Sequence, residues 1–490
     1  MKIPFLIRFL SITTLIFSIA SLNAQNTSDA VRLSLPGFSL NARSLGMGNA
    51  FTGVANDYSA TYWNPAGIGM IENSEMTFSL SHNIANDNST YLGNSLPYEN
   101  TSSSLDNVGF IFPFPTTQGS FVMALGYSKT NNYLSGLKYS GFNEQNSIVQ
   151  DWAKDGQTFN YFPNTSPAYW LYLADVESTL VGSSYEYYYE SPIKNRVVQK
   201  GTLLEDGGRN LWSVSASFEA APALFLGATL NIIRGTYNYS NEYIEQDTKN
   251  YYSSTLTPGF DFDYLRMEET IKEDIGGYNL ILGMFYNFNE EGAFGISMHT
   301  PSYLSIRDDF RTLREVQYDN GDFSTYDDPQ IDDPANFTEF EVNTPFIFSF
   351  GASYQIENFL VSASSEFTDW TQMEFTNITP DLEYLNRKIK EEYQPALTYH
   401  FGIEYYVPFS SLIARAGYMY LPSPYKNDPT SFDKKYITLG ASFTLEESIV
   451  IDIAYANGNW NSFTDAPNAG YTIQEKITTH NIFATIAYRY

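Results

Sequence analysis

The sequence of 490 residues contains no cysteine. That excludes a disulfide scaffold, a thiolate metal site and a cysteine nucleophile. Positive charge is scarce: 27 Lys and Arg stand against 55 Asp and Glu, a formal charge of −28. A nucleic-acid partner needs basic stripes and is not expected. Long apolar runs are also missing beyond the first residues. No later segment approaches the roughly 20 apolar residues of a membrane helix.

Aromatic residues are abundant. Tyr occurs 39 times and Phe 36 times, and aromatics make up 17% of the chain. These are strand formers. The first segment reads as a secretory signal peptide. Lys2 and Arg8 carry charge, Phe9 to Ala20 is apolar, and "SLNAQ" offers cleavage after Ala24. An exported chain starting at Gln25 is expected, and a bilayer role would have to come through strands.

Period two recurs along the chain. In "KKYITLGASFTLEES", Ile437, Leu439, Ala441, Phe443 and Leu445 alternate with Tyr436, Thr438, Gly440, Ser442 and Thr444. "RNLWSVSASFEA" and "YHFGIEYYV" alternate likewise, so strands with two different faces are expected. About 14 such segments lie between residues 75 and 490. Their connections alternate in length. Those at 85–103, 131–208, 240–262, 310–338, 376–395, 422–433 and 458–473 are long. Those between, such as "AAP", "NEEG" and "EN", are tight. This is the pattern of a transmembrane antiparallel β-barrel with short periplasmic turns and long outer loops. The expected fold is therefore all-β, an outer-membrane barrel of about 14 strands with both termini periplasmic.

Parity assigns faces. An Arg facing lipid at mid-bilayer costs about 2–4 kcal/mol, so in "SLIARAGYMY" Arg415 faces the lumen together with Ile413 and Met419. The same reasoning gives a mixed lumen: Ser213, Ser215, Ser217, Ser362, Ser364 and Glu366, with Phe225, Ile233, Ile281, Phe285, Ile347, Leu360 and Phe483. The apolar members either pack against an internal plug or line a path for an apolar ligand; Phe225, Ile281, Phe285, Leu360, Arg415, Met419 and Phe483 are the candidate ligand residues. A barrel of about 14 strands is too wide for its own side chains to fill. The segment 25–73, rich in Gly and Ala and lacking period two, is the expected plug, and 74–490 the barrel with its loops.

The run "ARSLGMGNAFTGVANDYSATYWNPAGI" resembles the N-terminal hatch of the FadL family of outer-membrane transporters for long-chain fatty acids and hydrocarbons. The matching residues are Ala42-Arg43-Ser44, Gly46-Met47-Gly48, Ala50-Phe51, Ala55-Asn56-Asp57 and Tyr62-Trp63-Asn64-Pro65-Ala66-Gly67. Weaker matches are "NTPFIFSFGASYQI" and "EFTDWTQMEF", while the loop 131–208 has no counterpart. The final strand, ending in Tyr490, is similar to the assembly signal read by the barrel assembly machinery. The resemblance implies a monomer embedded in outer-membrane lipid and lipopolysaccharide. A hydrophobic ligand, a fatty acid or hydrocarbon, is captured by the outer loops and held in the lumen. It leaves sideways when the hatch shifts, through an opening in the third strand, here near Asn131 and Asn132. Asn64, Pro65 and Ala66 are then the hatch motif. The same opening run also suits barrels of the PorV type, components of protein secretion and surface attachment, which is the alternative function.

Enzymatic chemistry finds little support. Ser297 and His299 share a lumenal face, but neither an acidic partner nor an oxyanion donor has a signature. No cofactor and no metal are expected. Asp308-Asp309, Asp327-Asp328 and Asp332-Asp333 read as a solvated acidic loop. "TPDLEYLNRKIKEEYQ" reads as a short helix, with Leu382, Leu385 and Ile389 either sheltering ligand or covering the barrel mouth.

Overall fold

The alternation of bulky apolar and small polar residues closes a sheet on itself. The computed structural model describes residues 26–155, 166–252, 262–326 and 337–490, except residues 378, 447 and 469. The expected signal peptide and the aspartates at 327, 328, 332 and 333 lie outside the described residues.

Fourteen antiparallel wall strands run in chain order. They are β1 (Glu75–Tyr91), β2 (Asn94–Phe114), β3 (Phe121–Asn132), β4 (Val197–Ala221), β5 (Leu224–Gln246), β6 (Phe262–Asn287) and β7 (Gly292–His299). Then follow β8 (Ile347–Ile356), β9 (Phe359–Asp369), β10 (Pro395–Tyr406), β11 (Leu412–Leu421), β12 (Lys434–Leu445), β13 (Ile449–Asp465) and β14 (Thr472–Arg489). Each pairs with the next, and β14 pairs with β1 from Glu75↔Arg489 to Thr90↔Gln474. No edge is left open there, which is how a barrel satisfies its backbone in lipid. Arg489 Nε meets Glu75 Oε2 at 2.9 Å across this seam.

In β12, Ile437, Leu439 and Phe443 point outward and are exposed, while Tyr436, Thr438 and Ser442 are buried inside. Outward aromatics form pairs at two heights. Near the short turns stand Phe114–Phe121 and Phe359–Tyr405, with ring centroids 5.6 and 4.6 Å apart. Six residues further along the same strands stand Tyr127–Trp212 and Tyr399–Tyr420, at 5.3 and 6.5 Å. Two such girdles bracketing an apolar band mark the lipid-facing belt of a membrane barrel.

Several expected loops are strand instead. β1 and β2 pair out to Tyr91↔Asn94 and join through Leu92-Gly93, both at positive φ (+49° and +82°). The range 85–103 is therefore a hairpin, and 240–262 and 458–473 are likewise shortened by β5, β13 and β14. These extensions stand beyond the apolar belt, so both faces are polar and hydrophobic alternation is lost. The range 131–208 holds a strand at Ser135–Asn143, a helix at Ile148–Asp155 and a hairpin of Asp175–Val181 with Ser184–Glu190. It packs into a second core with Tyr91, Tyr243, Phe262 and Val316.

Residues 26–74 lie inside the barrel and carry helices α1 (Thr27–Ser34), α2 (Ala42–Gly46) and α3 (Ala60–Trp63). α1 begins with a capping box, the Asn26 side chain taking the Asp29 N–H and Asp29 the Asn26 N–H. It stands at the long-loop end, where Thr27 Oγ1 donates to Glu392 Oε2 (2.9 Å) of the helix Pro380–Glu392. Tyr490 sits at the short-turn end, its N–H on the Ser74 carbonyl (3.0 Å). The first described residues thus stand near the long-loop mouth, not at the end where the chain finishes, because the plug descends through the barrel before it enters β1.

Candidate functional site

Wall glycines let the plug backbone lie directly on the wall. A Cβ on Gly295 would lie 1.9 Å from the Thr52 carbonyl, and one on Gly402 2.4 Å from that of Met47. Any side chain at these wall positions would push the plug off. Wall hydroxyls then satisfy the plug's backbone. Ser217 donates to the Ala66 carbonyl (2.8 Å), Ser297 to Trp63 (2.7 Å), Ser353 to Gly53 (2.6 Å) and Ser362 to Ala50 (2.6 Å). Thr485 accepts from Ala42 N–H (2.9 Å), and the His400 Nδ1–H donates to the Gly48 carbonyl (2.8 Å). A buried backbone group without such a partner is costly.

The Asn64-Pro65-Ala66 motif is fully buried at this contact. Asn64 Nδ2 donates to Thr52 O within the plug and to Met284 O of β6, both at 3.0 Å, and its Oδ1 accepts from Ala66 N–H (3.2 Å). Pro65 and Ala66 press against Gly227, whose added Cβ would lie 2.5 Å from each backbone.

Charge fixes the plug at a second point. Arg43 of α2 pairs with Glu404 of β10 (2.8 Å), Glu404 with Arg415 of β11 (2.6 Å), and Arg415 with Asp452 of β13 (2.8 Å). Burial opposes the Arg43 charge, yet Glu404 and Asp57 outweigh it and hold its pKa above the ordinary arginine value. Arg415 does face the lumen, but both of its partners are wall carboxylates, so it has no free face for a ligand. Ser297 and His299 also serve the plug: Ser297 holds Trp63, and the His299 ring packs edge-on to Tyr62 at 5.0 Å.

Beside α1 and above the rest of the plug lies a cavity of about 850 Å³. Trp63, Asn49 and Phe38 form its floor, and Met419, Tyr436, Trp460 and Phe483 one side. Of the seven sequence-proposed ligand residues, Met419 and Phe483 line it. Phe225 and Phe285 pack on Ala66 and Ile68 under the plug, and Ile281 and Leu360 belong to the core around Trp63. Leu382, Leu385 and Ile389 join that same core and cover the barrel mouth. Sequence reasoning missed Trp63 and Trp460 as cavity residues: Trp63 lies in the plug, which has no period two, and Trp460 in a range expected to be loop.

One wall of the cavity is interrupted. β3 pairs with β2 only from Phe114↔Phe121 to Asn107↔Ser128, and with β4 through a register shift between Lys129 and Asn131. The chain leaves the sheet at Tyr133 and Leu134 before Ser135–Asn143 resumes against β4. A second cavity, of about 620 Å³, fills the gap between β2 and β4. It shares Lys129, Asn132, Leu134 and Glu205 with the first, so the two meet at this break. The plug is pinned to the same place. Asn131 Nδ2 donates to the Leu35 and Pro36 carbonyls (3.2 and 3.0 Å), and Arg209 to those of Leu33 and Leu35 (both 2.6 Å).

A closed fourteen-strand barrel, plugged from its own N-terminal segment and banded by aromatics, defines an outer-membrane barrel of the plugged class. The family model for outer membrane protein transport proteins (OMPP1/FadL/TodX) matches residues 187–489, and the chain belongs to that family. The solved toluene transporter TodX of Pseudomonas putida is similar over 93% of this chain and 99% of its own, with 13% identity and a TM-score of 0.52. A FadL homologue of Pseudomonas aeruginosa is similar over the same shares, with 14% identity and a TM-score of 0.52. These likenesses establish the fold. No curated protein matches the chain.

Proposed function

We propose that this protein takes up a hydrophobic compound through the outer membrane, holding it in the cavity above Trp63 and releasing it sideways at Asn131–Leu134. The observation that carries the reading is the meeting of the two cavities at a break in the wall, with the plug fastened to that break. Burial of a methylene stabilises by about 0.8 kcal/mol, so an alkyl or aryl ligand is held well beside Met419 and Phe483. The same affinity would trap it, so release requires a change that removes contacts. Leu33 to Phe38 are placed to supply one. If they shift, Asn131 and Arg209 lose their partners at once and the gap between β2 and β4 widens. The polar solutes that an empty barrel would leak are excluded by the plug below.

The direct test fills the gap. Ser102→Trp with Leu204→Trp, which line only the second cavity, should abolish uptake of a fluorescent alkyl probe by intact cells at matched surface abundance, while the purified variant still binds the probe. Undiminished uptake in that variant would refute the sideways route. Absence of probe binding by the wild-type protein would refute the transport reading altogether and leave the secretion-component alternative ahead.

A further inference from the structure

On the outer face of the wall, register sets Tyr127, Trp212, Ile232, Tyr278 and Tyr303 in one outward row across β3 to β6 and the strand Tyr303–Tyr318. This row is the aromatic girdle nearer the long connections; the Tyr278 and Tyr303 ring centroids stand 5.4 Å apart. The outward row on its lipid side is wholly apolar: Leu125, Val214, Leu230 and Leu280. The row on its other side reads Lys129, Asn210, Arg234, Gly276 and Ser305. One outward step further, Arg307 stands opposite Asp274 of β6. Arg234 is exposed and makes neither a hydrogen bond nor an ion pair among the described residues. Its guanidinium lies across Gly276, where an added Cβ would sit 2.6 Å from Nη1. Arg307 lies 3.8 Å over the Phe337 ring. A shallow pocket of about 440 Å³ opens here, lined by Asn210, Arg234, Thr236 and Asp274 over a floor of Gly235 and Gly276. At this height the surroundings are lipid head groups, where a cation meets phosphate.

We propose that this pocket holds the head group of a phosphorylated glycolipid of the outer leaflet, of the lipopolysaccharide kind. A phosphate sits between Arg234 and Arg307, the sugar that carries it lies in the pocket, and the acyl chains run down over Ile232, Leu230 and Trp212. Neighbouring strands lie about 4.8 Å apart. Arg234 and Arg307 stand two strands and one outward step apart, so both long side chains reach one phosphate. A guanidinium fork matches phosphate oxygens bidentately, and Lys129 adds positive charge along the same row. The sugar hydroxyls donate to Asp274 and exchange hydrogen bonds with Asn210 and Thr236. A phospholipid phosphate would satisfy the arginines but leave Asp274 unpaired beside like charge. The assignment does not depend on what the barrel transports. It rests on the long connections facing outward, which single-cysteine labelling tests separately.

The test uses the full chain in detergent micelles, with bound lipid counted by native mass spectrometry. It is titrated separately with bisphosphorylated lipid A, the same lipid A stripped of its phosphates, and phosphatidylglycerol. Bisphosphorylated lipid A should bind about 10-fold more tightly than either of the others. Arg234→Gln with Arg307→Gln should bring it down to the level of the stripped form. Asp274→Asn should weaken both forms of lipid A about 3-fold and leave phosphatidylglycerol unchanged. The substituted side chains are exposed, so folding should survive, as circular dichroism checks. Phosphatidylglycerol binding as tightly as bisphosphorylated lipid A to the wild-type protein would overturn the glycolipid assignment. So would equal binding of the stripped form, or a preference that survives the double arginine substitution. Uptake of the alkyl probe should stay at the wild-type level in these variants, so failure of the transport reading and failure of this one are read separately.

Discussion

At the scale of single residues, Glu404 and Asn64 hold the plug by different physics. Glu404 stands between Arg43 and Arg415, and is itself unexposed. Glu404→Ala would leave two buried guanidinium groups near each other with one of their three carboxylates gone, and breaking a buried pair in this way costs about 3–5 kcal/mol. Asn64→Ala strands only the Met284 and Thr52 carbonyls and the Ala66 N–H, at about 1–3 kcal/mol. Both changes leave the wall ladders intact, so the barrel should still assemble. In planar bilayers both variants should show transient openings to small ions, more frequent in Glu404→Ala than in Asn64→Ala. The reverse order would mean that the motif, not the charge chain, fastens the plug.

At the scale of elements, the strands were legible in the sequence and their lengths were not. Alternation located all fourteen because a lipid-facing residue must be apolar and its neighbour, facing a polar lumen, need not be. Above the lipid this contrast disappears. "NDNST" of β1 and "NTSSS" of β2 are polar on both faces, and they looked like loop. The site shows the same division. Parity put Phe225, Phe285, Met419 and Phe483 inside, but it carries no height. Phe225 and Phe285 stand within three residues of the short turns, at the depth the plug occupies, and so are packing residues. Serines 217 and 362 were legible as lumenal; that they serve plug carbonyls depends on partners 151 and 312 residues away. The plug as an element has its own expected outcome. A chain lacking residues 26–73 should form a barrel with a large, steady conductance for polar solutes, measured by liposome swelling. Near-zero conductance would show that the loops alone seal the mouth.

At the scale of the whole molecule, the alternation of tight turns and long connections assigns the two ends to two compartments. Single cysteines at Ser183 and Asn320, in the long connections, should react with an impermeant maleimide on intact cells. One at Ala221, beside a short turn, should react only after the outer membrane is opened. Labelling of Ala221 alone would invert the orientation. The absence of native cysteine makes each of these variants a single-site probe.

The seam between β1 and β14 also dictates an order of assembly. Its outermost bridge, Glu75 to Arg489, joins residues 414 positions apart, so almost the entire chain must be in place before the ring can shut. Pairings this distant in sequence form late and slowly. The plug is continuous with β1 and lies within the ring, so it has to be gathered in while the sheet is still an open ribbon. The plug then acts as a mould on which the ribbon curls, met by the wall glycines and serines that face it. On this view the segment that leads into β1 is also the template for the last step of folding.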